Sequence, residues 1–553
     1  MHAAPELLDT PRERRAGLPA RLLALGALVG YAALLALARS AGRSAAIDLH
    51  FDDETVYLAS GLRLAQQGFP SPAWAPLYAV WYWLEAHVVR DPIVLYYANW
   101  TALLFAVLLA TALVVRAVGA GRLAIAAVLA ITSILGIWES WTYVVLLSAA
   151  LVGLGLAAAL TRRSLVGGLS AAAVIDGIAA FVRPELLTSF VLLVVAVLVA
   201  GVAHRTRPRA LAAAVGIPVA AFAALALWMG VPLERDRAIT AFRQHYASNV
   251  ASVRGLDSDP WYSANDVARR AFGDAPTPLA ALRANPREFL WHVRRNLSIL
   301  PGSVERLSPA VPHTKALRWV FLTLLAVGIA LGAVRLVRAI RRRLPDERRT
   351  GVTLAVIAVA TLAPAAISVA VVHPRDHYFV TPFIPVLAFA VWGWGLPFTA
   401  WRTGPAWRRL DASLAGATAV AFLAILPGRA GAGPWYRAAP ASTPPNLALV
   451  RFLRTVPVPG ARPVVLLEAD RGRGIYAGWP SFQDLLAADC EPFRSCASVH
   501  PPDVISVDPR LLLHYRTAGD DGLAALVGAP SSGGYRRLEP PGADAVVLVR
   551  AGR

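Results

Sequence analysis

The stretch Asp48-Leu-His-Phe-Asp-Asp-Glu-Thr-Val-Tyr57 opens a few residues after the first long apolar run, about Leu22 to Ala38, has ended. That run is preceded by Arg12, Arg14, Arg15 and Arg21 and followed by many more apolar runs, so it reads as an uncleaved first membrane helix rather than a secretory signal. Asp52, Asp53 and Glu54 then lie packed together at the mouth of a span. Adjacent carboxylates beside a low dielectric repel one another, so a compensating task is expected of them: a proton to abstract, an acceptor to orient or a bound cation.

The chain of 553 residues is 56% hydrophobic and only 16% charged, far too apolar for a soluble domain. Its formal net charge of +19 falls in short blocks between apolar runs rather than on one face, which suits membrane topology and excludes nucleic acid as a partner. The partner implied throughout is the lipid bilayer.

Apolar runs occur near 22–40, 93–115, 122–138, 141–160, 165–182, 185–203, 210–231, 317–337, 351–372, 380–400 and 411–427, giving about eleven transmembrane helices. The basic connectors test that count. Arg116/Arg122, Arg162/Arg163, the 204–209 block, the 335–349 block and Arg402 with Arg408/Arg409 all fall on the side of the basic N-terminus. That register places the active face and the C-terminal part outside the cytoplasm.

The outer side then receives loop 41–92, the Trp138–Trp141 turn, the Arg183-Pro-Glu185 turn, loop 232–315, the His373–Tyr378 turn and everything after about Pro427. Loops 41–92 and 232–315 are too long to be connections and suit short helices at the membrane surface. Residues 1–427 read as the membrane domain and 428–553 as a small α/β domain. The latter has helix-like 446–454, 509–515 and 522–527, and strand-like 463–468, 503–507 and 545–550. Cys490 and Cys496 would form a disulfide outside the cytoplasm and remain two thiols within it.

Transfer of a group from a lipid-linked donor needs an acidic base for the incoming hydroxyl and cationic groups for the departing phosphate, near the membrane surface. Asp52, Asp53 and Glu54 are the acids. Arg183, Arg375, His373 and His377 are the candidate phosphate partners, arginine pairing with phosphate through a fork of donors that stays charged.

Asp53-Glu54-Thr55-Val56-Tyr57, followed by Leu64-Ala-Gln-Gln-Gly68, resembles the acidic motif in the first outer loop of the GT-C superfamily of polyprenyl-phosphate-sugar glycosyltransferases. The branch it is most similar to contains protein O-mannosyltransferases and lipid A aminoarabinose transferases. Pro76-Leu77-Tyr78 with Tyr82-Trp83-Leu84 is similar to the Pro-rich, Tyr-Trp segment of that branch, and Phe181–Glu185 and Tyr378–Pro382 resemble recurrent GT-C motifs.

The resemblance implies a multi-pass glycosyltransferase of the cell envelope that moves a sugar from a polyprenyl-phosphate donor to a glycan, lipid or protein acceptor by inverting displacement. It implies Asp53 as catalytic base, with Asp52 competing; Glu54 stands beside them, and the residue chemistry puts Arg183, Arg375, His377 and Tyr378 around the donor phosphate. Tyr57, Trp74, Tyr78, Glu139 and His373 would line the pocket. Magnesium, manganese or calcium on Asp52, Asp53 and Glu54 is compatible with this chemistry, though some relatives act without a metal.

Two departures from the family pattern stand out. Trp74-Ala75-Pro76 replaces a phosphate-binding lysine of the aminoarabinose branch, and the usual adjacent Arg-Tyr is spread over Arg375-Asp-His-Tyr378.

Each residue also has a plainer reading. The acids would suit a solvated helix start, Arg183 a snorkelling helix end, and Glu139 an interfacial position. Asp176, mid-span and seven residues before Arg183, reads as half of an ion pair or as a protonated acid. The alternative class is a transporter or lipid flippase, for which the large outer loops and soluble tail are unnecessary.

Overall fold

The computed structural model describes residues 18–51, 53–139, 142–233, 235–256, 259–261, 263–306, 315–398, 405–425, 444–457, 463–479, 481–487, 490–499 and 501–551. Asp52 and Trp141 lie outside the described residues. Each apolar run named above contains a helix among the described residues, and eight of the described helices are long and apolar enough to cross a membrane. The Pro92–Ala117 helix shows why such a run folds as it does. Asp91 accepts from the N–H groups of Ile93 and Val94, Pro92 opens the first turn, and the helix of 26 residues reaches about 39 Å.

The count of eight among the described residues is smaller than the eleven expected, and two of the three differences come from short helices. Arg122–Ser133 spans about 18 Å and Leu165–Ala179 about 22 Å, both short of the roughly 30 Å hydrocarbon core. The first stops because the chain turns into a 3-10 segment at Gly136–Glu139. The Pro405–Ile425 helix packs against Arg122–Ser133, and its Asp411 accepts from the N–H groups of Arg122 at 3.0 Å and Leu123 at 3.2 Å. The Lys315–Arg341 and His377–Phe398 helices touch backbone to backbone, since a Cβ on Gly393 would lie 2.2 Å from the carbonyl oxygen of Gly328.

Both long loops fold. The first contains the Asp53–Leu62 and Pro76–Ala86 helices, packed so closely that a Cβ on Gly61 would lie 2.4 Å from that of Tyr82. The second contains Arg235–Arg254, Ala264–Phe272, Pro278–Ala284 and Pro286–Arg306, gathered around a core of Phe242, Tyr246, Phe272 and Phe289. Asn296 and His292 of this unit hydrogen-bond carbonyls of residues 370–372, which seats it on the C-terminal end of the Pro345–Val371 helix, just before the His373–Tyr378 turn.

The C-terminal part begins with the Pro445–Leu453 helix and builds one sheet from β1 (Val464–Glu468), β2 (Phe482–Leu486), β3 (Val504–Val507), β4 (Tyr535–Leu538) and β5 (Val546–Arg550), ordered β2-β1-β3-β5-β4. β1 runs parallel to β2 and β3, while β5 is antiparallel to β3 and β4. Cys490 and Cys496 are joined in a disulfide.

Candidate active site

Glu54 is fully buried at the start of the Asp53–Leu62 helix. Its Oε1 accepts from the phenols of Tyr78 at 2.7 Å and Tyr82 at 2.6 Å, and its Oε2 accepts from the backbone N–H of Tyr143 at 2.8 Å. Asn99 donates to both phenol oxygens at 2.7 Å, and the Trp81 indole donates to the Asn99 carbonyl at 2.9 Å. Burial pushes the Glu54 carboxyl up to about 7, with the phenols and the Tyr143 N–H pulling the other way. This side chain has no free oxygen to offer a substrate. Its work is to hold the helix against the Pro76–Ala86 and Pro92–Ala117 helices and the turn at Tyr143.

That anchoring fixes where Asp53 points. One residue along a helix turns the side chain by about 100°, so Asp53 leaves the buried face and shares a side with Tyr57, four residues on. Asp53 is half-buried and close enough to Tyr57, Arg237 and Arg375 to act on all three.

Three arginines from segments distant in sequence gather here. Arg237, at the start of the Arg235–Arg254 helix, lies 4.5 Å over the Trp74 ring, donates to the Tyr57 hydroxyl at 3.2 Å and also reaches the carbonyl of Ala73. Arg375 lies 5.5 Å over Trp261, and burial lowers its pKa. Arg183 donates through Nε to Glu185 at 2.6 Å and lies 6.0 Å from the Tyr378 ring centre. Its turn is held in place by the Leu77 N–H, which donates to the carbonyl of Phe181 at 3.2 Å.

His377 is buried against Tyr378, ring centres 4.3 Å apart, and faces Arg183, Arg375 and Arg237. His373 stacks on His245 at 4.9 Å with the rings 7° from parallel. Burial first, then Arg375 and His373, push His245 down to about 2, so it stays a neutral ring beside permanent guanidinium charges.

Of the residues singled out from sequence, Asp53, Tyr57, Trp74, Arg183, Arg375, His377, Tyr378 and His373 are therefore brought together. Tyr78 sits 5.4 Å from the Tyr57 ring, but its hydroxyl belongs to Glu54. Glu139 is drawn elsewhere: Arg39 and Arg43 both pair with it, and Arg43 in turn lies 3.7 Å over Trp100 and donates to the Tyr143 hydroxyl at 3.0 Å. Burial alone would raise the Glu139 pKa, but Arg43 and Arg39 bring it below the ordinary carboxylate range. Asp176 accepts from Ser189 at 2.5 Å, while Arg183 goes to Glu185. Arg237, His245 and Trp261 were missed. The signal available was the charged run Glu234-Arg-Asp-Arg237 directly after a span, but nothing local says which of its charges returns to the site.

No family model and no curated protein matches this chain. Among solved structures it is similar to the crystal structure of ArnT from Cupriavidus metallidurans bound to undecaprenyl phosphate, at 15% identity over 95% of this chain and 98% of that one, with a TM-score of 0.39.

The C-terminal part closes on the segment that precedes Asp53. Asp48 accepts from the N–H groups of Asn446 at 2.8 Å and Leu447 at 2.9 Å, capping the Pro445–Leu453 helix, and the Asn446 amide donates to the carbonyl of Leu49 at 2.9 Å. Gly472, with φ of +124°, presses on the Asp53–Leu62 helix, where an added Cβ would lie 2.1 Å from Thr55 Cγ2. Arg473 lies 5.0 Å over Phe51, and Arg454 pairs with Asp91 at 2.7 Å.

No group of three His, Cys, Asp or Glu able to hold a metal ion occurs among the described residues. Glu54 has both oxygens committed to protein donors, so it offers no ligand to a cation shared with Asp53. Among the described residues, the arrangement offers the Asp53 carboxylate, able to take a proton and facing guanidinium groups suited to a phosphate.

Proposed function

We propose that this chain is a membrane glycosyltransferase of the GT-C kind, moving a sugar from a polyprenyl-phosphate donor to a hydroxyl acceptor on the extracytoplasmic face. The observation that carries the reading is the convergence of Arg183, Arg237 and Arg375 on the side of the Asp53–Leu62 helix that carries Asp53 and Tyr57. A lone snorkelling arginine would need no such meeting of three separate segments beside one carboxylate.

In this mechanism Asp53 takes the acceptor hydroxyl proton as that oxygen bonds to the anomeric carbon. The bond from the anomeric carbon to the phosphate oxygen breaks, inverting that centre, and the electron pair leaves on the lipid phosphate. Arg237 and Arg375 receive the new charge, with Arg183, His377 and Tyr378 completing the wall. No general acid is needed, because a phosphate is already a good leaving group. Glu54 sets the angle of Asp53 without meeting the substrate.

The outer placement is supported by the basic loops lying on the opposite side and by the Cys490–Cys496 bridge, which fits an oxidising compartment. In this reading residues 428–553 form an extracytoplasmic domain that braces the catalytic loop from above.

The test is to incubate the purified chain with radiolabelled decaprenyl- and undecaprenyl-phosphate sugars and follow release of lipid phosphate. One donor consumed by the wild-type protein and spared by Asp53→Asn supports the reading. Consumption of none of the panel by well-folded protein would reject it.

A further inference from the structure

The far end of the Lys315–Arg341 helix carries a feature that the transferase reading does not use. Ala333, Val334, Val337, Arg338, Arg341 and Arg342 line one open trough of about 480 Å³. The spacing makes it two-toned: apolar side chains at 333, 334 and 337 fill the turns inside the span, and the guanidinium groups follow on the same face where the span ends. Val334 and Val337 are exposed, as expected of a wall meeting hydrocarbon.

The carboxylates nearest in sequence are already engaged. Glu347 pairs with Arg335 at 3.3 Å and Asp346 with Arg349 at 3.8 Å, while Arg335 also donates to the carbonyl of Trp392 at 2.7 Å. Among the described residues, Arg338, Arg341 and Arg342 have no acidic partner. Three concentrated positive charges at the edge of a bilayer, joined to an apolar wall, call for a molecule with a phosphate at one end and acyl chains at the other.

We propose that this trough is a binding site for one anionic phospholipid, with its phosphate on Arg338, Arg341 and Arg342 and an acyl chain along Val334 and Val337. A choline headgroup would bring a further positive charge beside the guanidinium groups, so zwitterionic lipid is disfavoured. Free phosphate would leave the apolar half of the trough uncovered. The site stands apart from Asp53 and does not depend on the transferase reading.

The experiment is native mass spectrometry of the full chain in mild detergent, titrated with phosphatidylglycerol or with phosphatidylcholine of the same acyl composition. The wild-type protein is expected to retain one phosphatidylglycerol about tenfold more tightly than phosphatidylcholine. The triple variant Arg338→Gln, Arg341→Gln, Arg342→Gln is expected to lose that preference. Val334→Glu, which keeps all three arginines, is expected to lose it as well, and covers the case in which the triple variant does not fold. Arg207→Gln with Arg209→Gln, on another basic loop, should keep it.

Equal retention of the two lipids by the wild-type protein would overturn the proposal. So would an undiminished preference in a folded triple variant or in Val334→Glu. Displacement of the lipid by millimolar inorganic phosphate would mark the trough as a phosphate site instead.

Discussion

The backbone N–H of Tyr143 donates a 2.8 Å hydrogen bond to Oε2 of Glu54 across 89 residues of sequence. With the phenols of Tyr78 and Tyr82 on the other oxygen, the carboxyl joins three separate segments at one buried point. Removing it leaves three donors without an acceptor, each costing about 1–3 kcal/mol. Glu54→Ala is therefore expected to lower the unfolding temperature sharply, and Glu54→Gln, which keeps one acceptor oxygen, to lower it less. Thermal unfolding in detergent checks the order.

The same carboxyl makes stability depend on pH with a definite sign. Its pKa rises from 4.5 to about 7 on folding, so the native state holds the proton more tightly than the unfolded chain. The contribution is fully present below about pH 4.5 and is lost as pH rises through about 7, on the order of 3 kcal/mol. The difference in unfolding temperature between wild type and Glu54→Gln should shrink across that window. Parallel curves would count against a protonated Glu54.

Arg237 stacks on Trp74 while donating to Tyr57 and to the carbonyl of Ala73, a geometry that needs a planar, multi-donor group. Arg237→Lys should therefore behave much like Arg237→Gln. Loss of one charge-assisted contact to a phosphate is expected to raise the KM for the lipid-linked donor about 10- to 100-fold. Steady-state kinetics over donor concentration reads this directly, and a KM unchanged in Arg237→Gln would remove Arg237 from the donor site.

Much of this architecture was legible in the sequence, because apolar runs, basic connectors and the sheet's Val-rich strands are local signals. The Val464–Glu468, Val504–Val507 and Val546–Arg550 strands fall where alternation and β-branching place them. β2, Phe482-Gln-Asp-Leu-Leu486, has no β-branched residue, and β4, Tyr535-Arg-Arg-Leu538, is an edge strand carrying two charges, so neither announced itself. In the site, the acids were visible, but the division of labour between Asp53 and Glu54 was not. It depends on Tyr78, Tyr82, Asn99 and Tyr143 meeting around one carboxyl, a long-range event that no window of residues contains. Arg237 was hidden for the same reason.

Contact between the C-terminal part and the Asp53–Leu62 helix rests on Gly472. Gly472→Ala adds backbone strain at φ of +124° and a Cβ 2.1 Å from Thr55, whereas Gly478→Ala, at φ of +74° with nothing within 4 Å, adds strain alone. Gly478→Ala should lose about 1 kcal/mol and Gly472→Ala more, and only Gly472→Ala is expected to lose turnover and expose the 444–551 region to limited proteolysis. Equal effects from the two would show that the contact does not matter to activity.

Reduction offers a separate check on the C-terminal sheet. The Cys490–Cys496 loop is short, so its loss is expected to cost about 2 kcal/mol, confined to the C-terminal sheet. Intact protein should show no thiol reactive to a maleimide until a reductant is added, and Cys490→Ser should show one.

The most direct measurement is single-turnover release of lipid phosphate from a radiolabelled polyprenyl-phosphate sugar that wild type consumes, comparing Asp53→Asn with Glu54→Gln at matched folded fraction. Asp53→Asn should fall by about 10²- to 10⁴-fold with its unfolding temperature unchanged, while Glu54→Gln loses stability and keeps more of its rate. Wild-type turnover in Asp53→Asn would contradict the assignment of Asp53 as the proton acceptor.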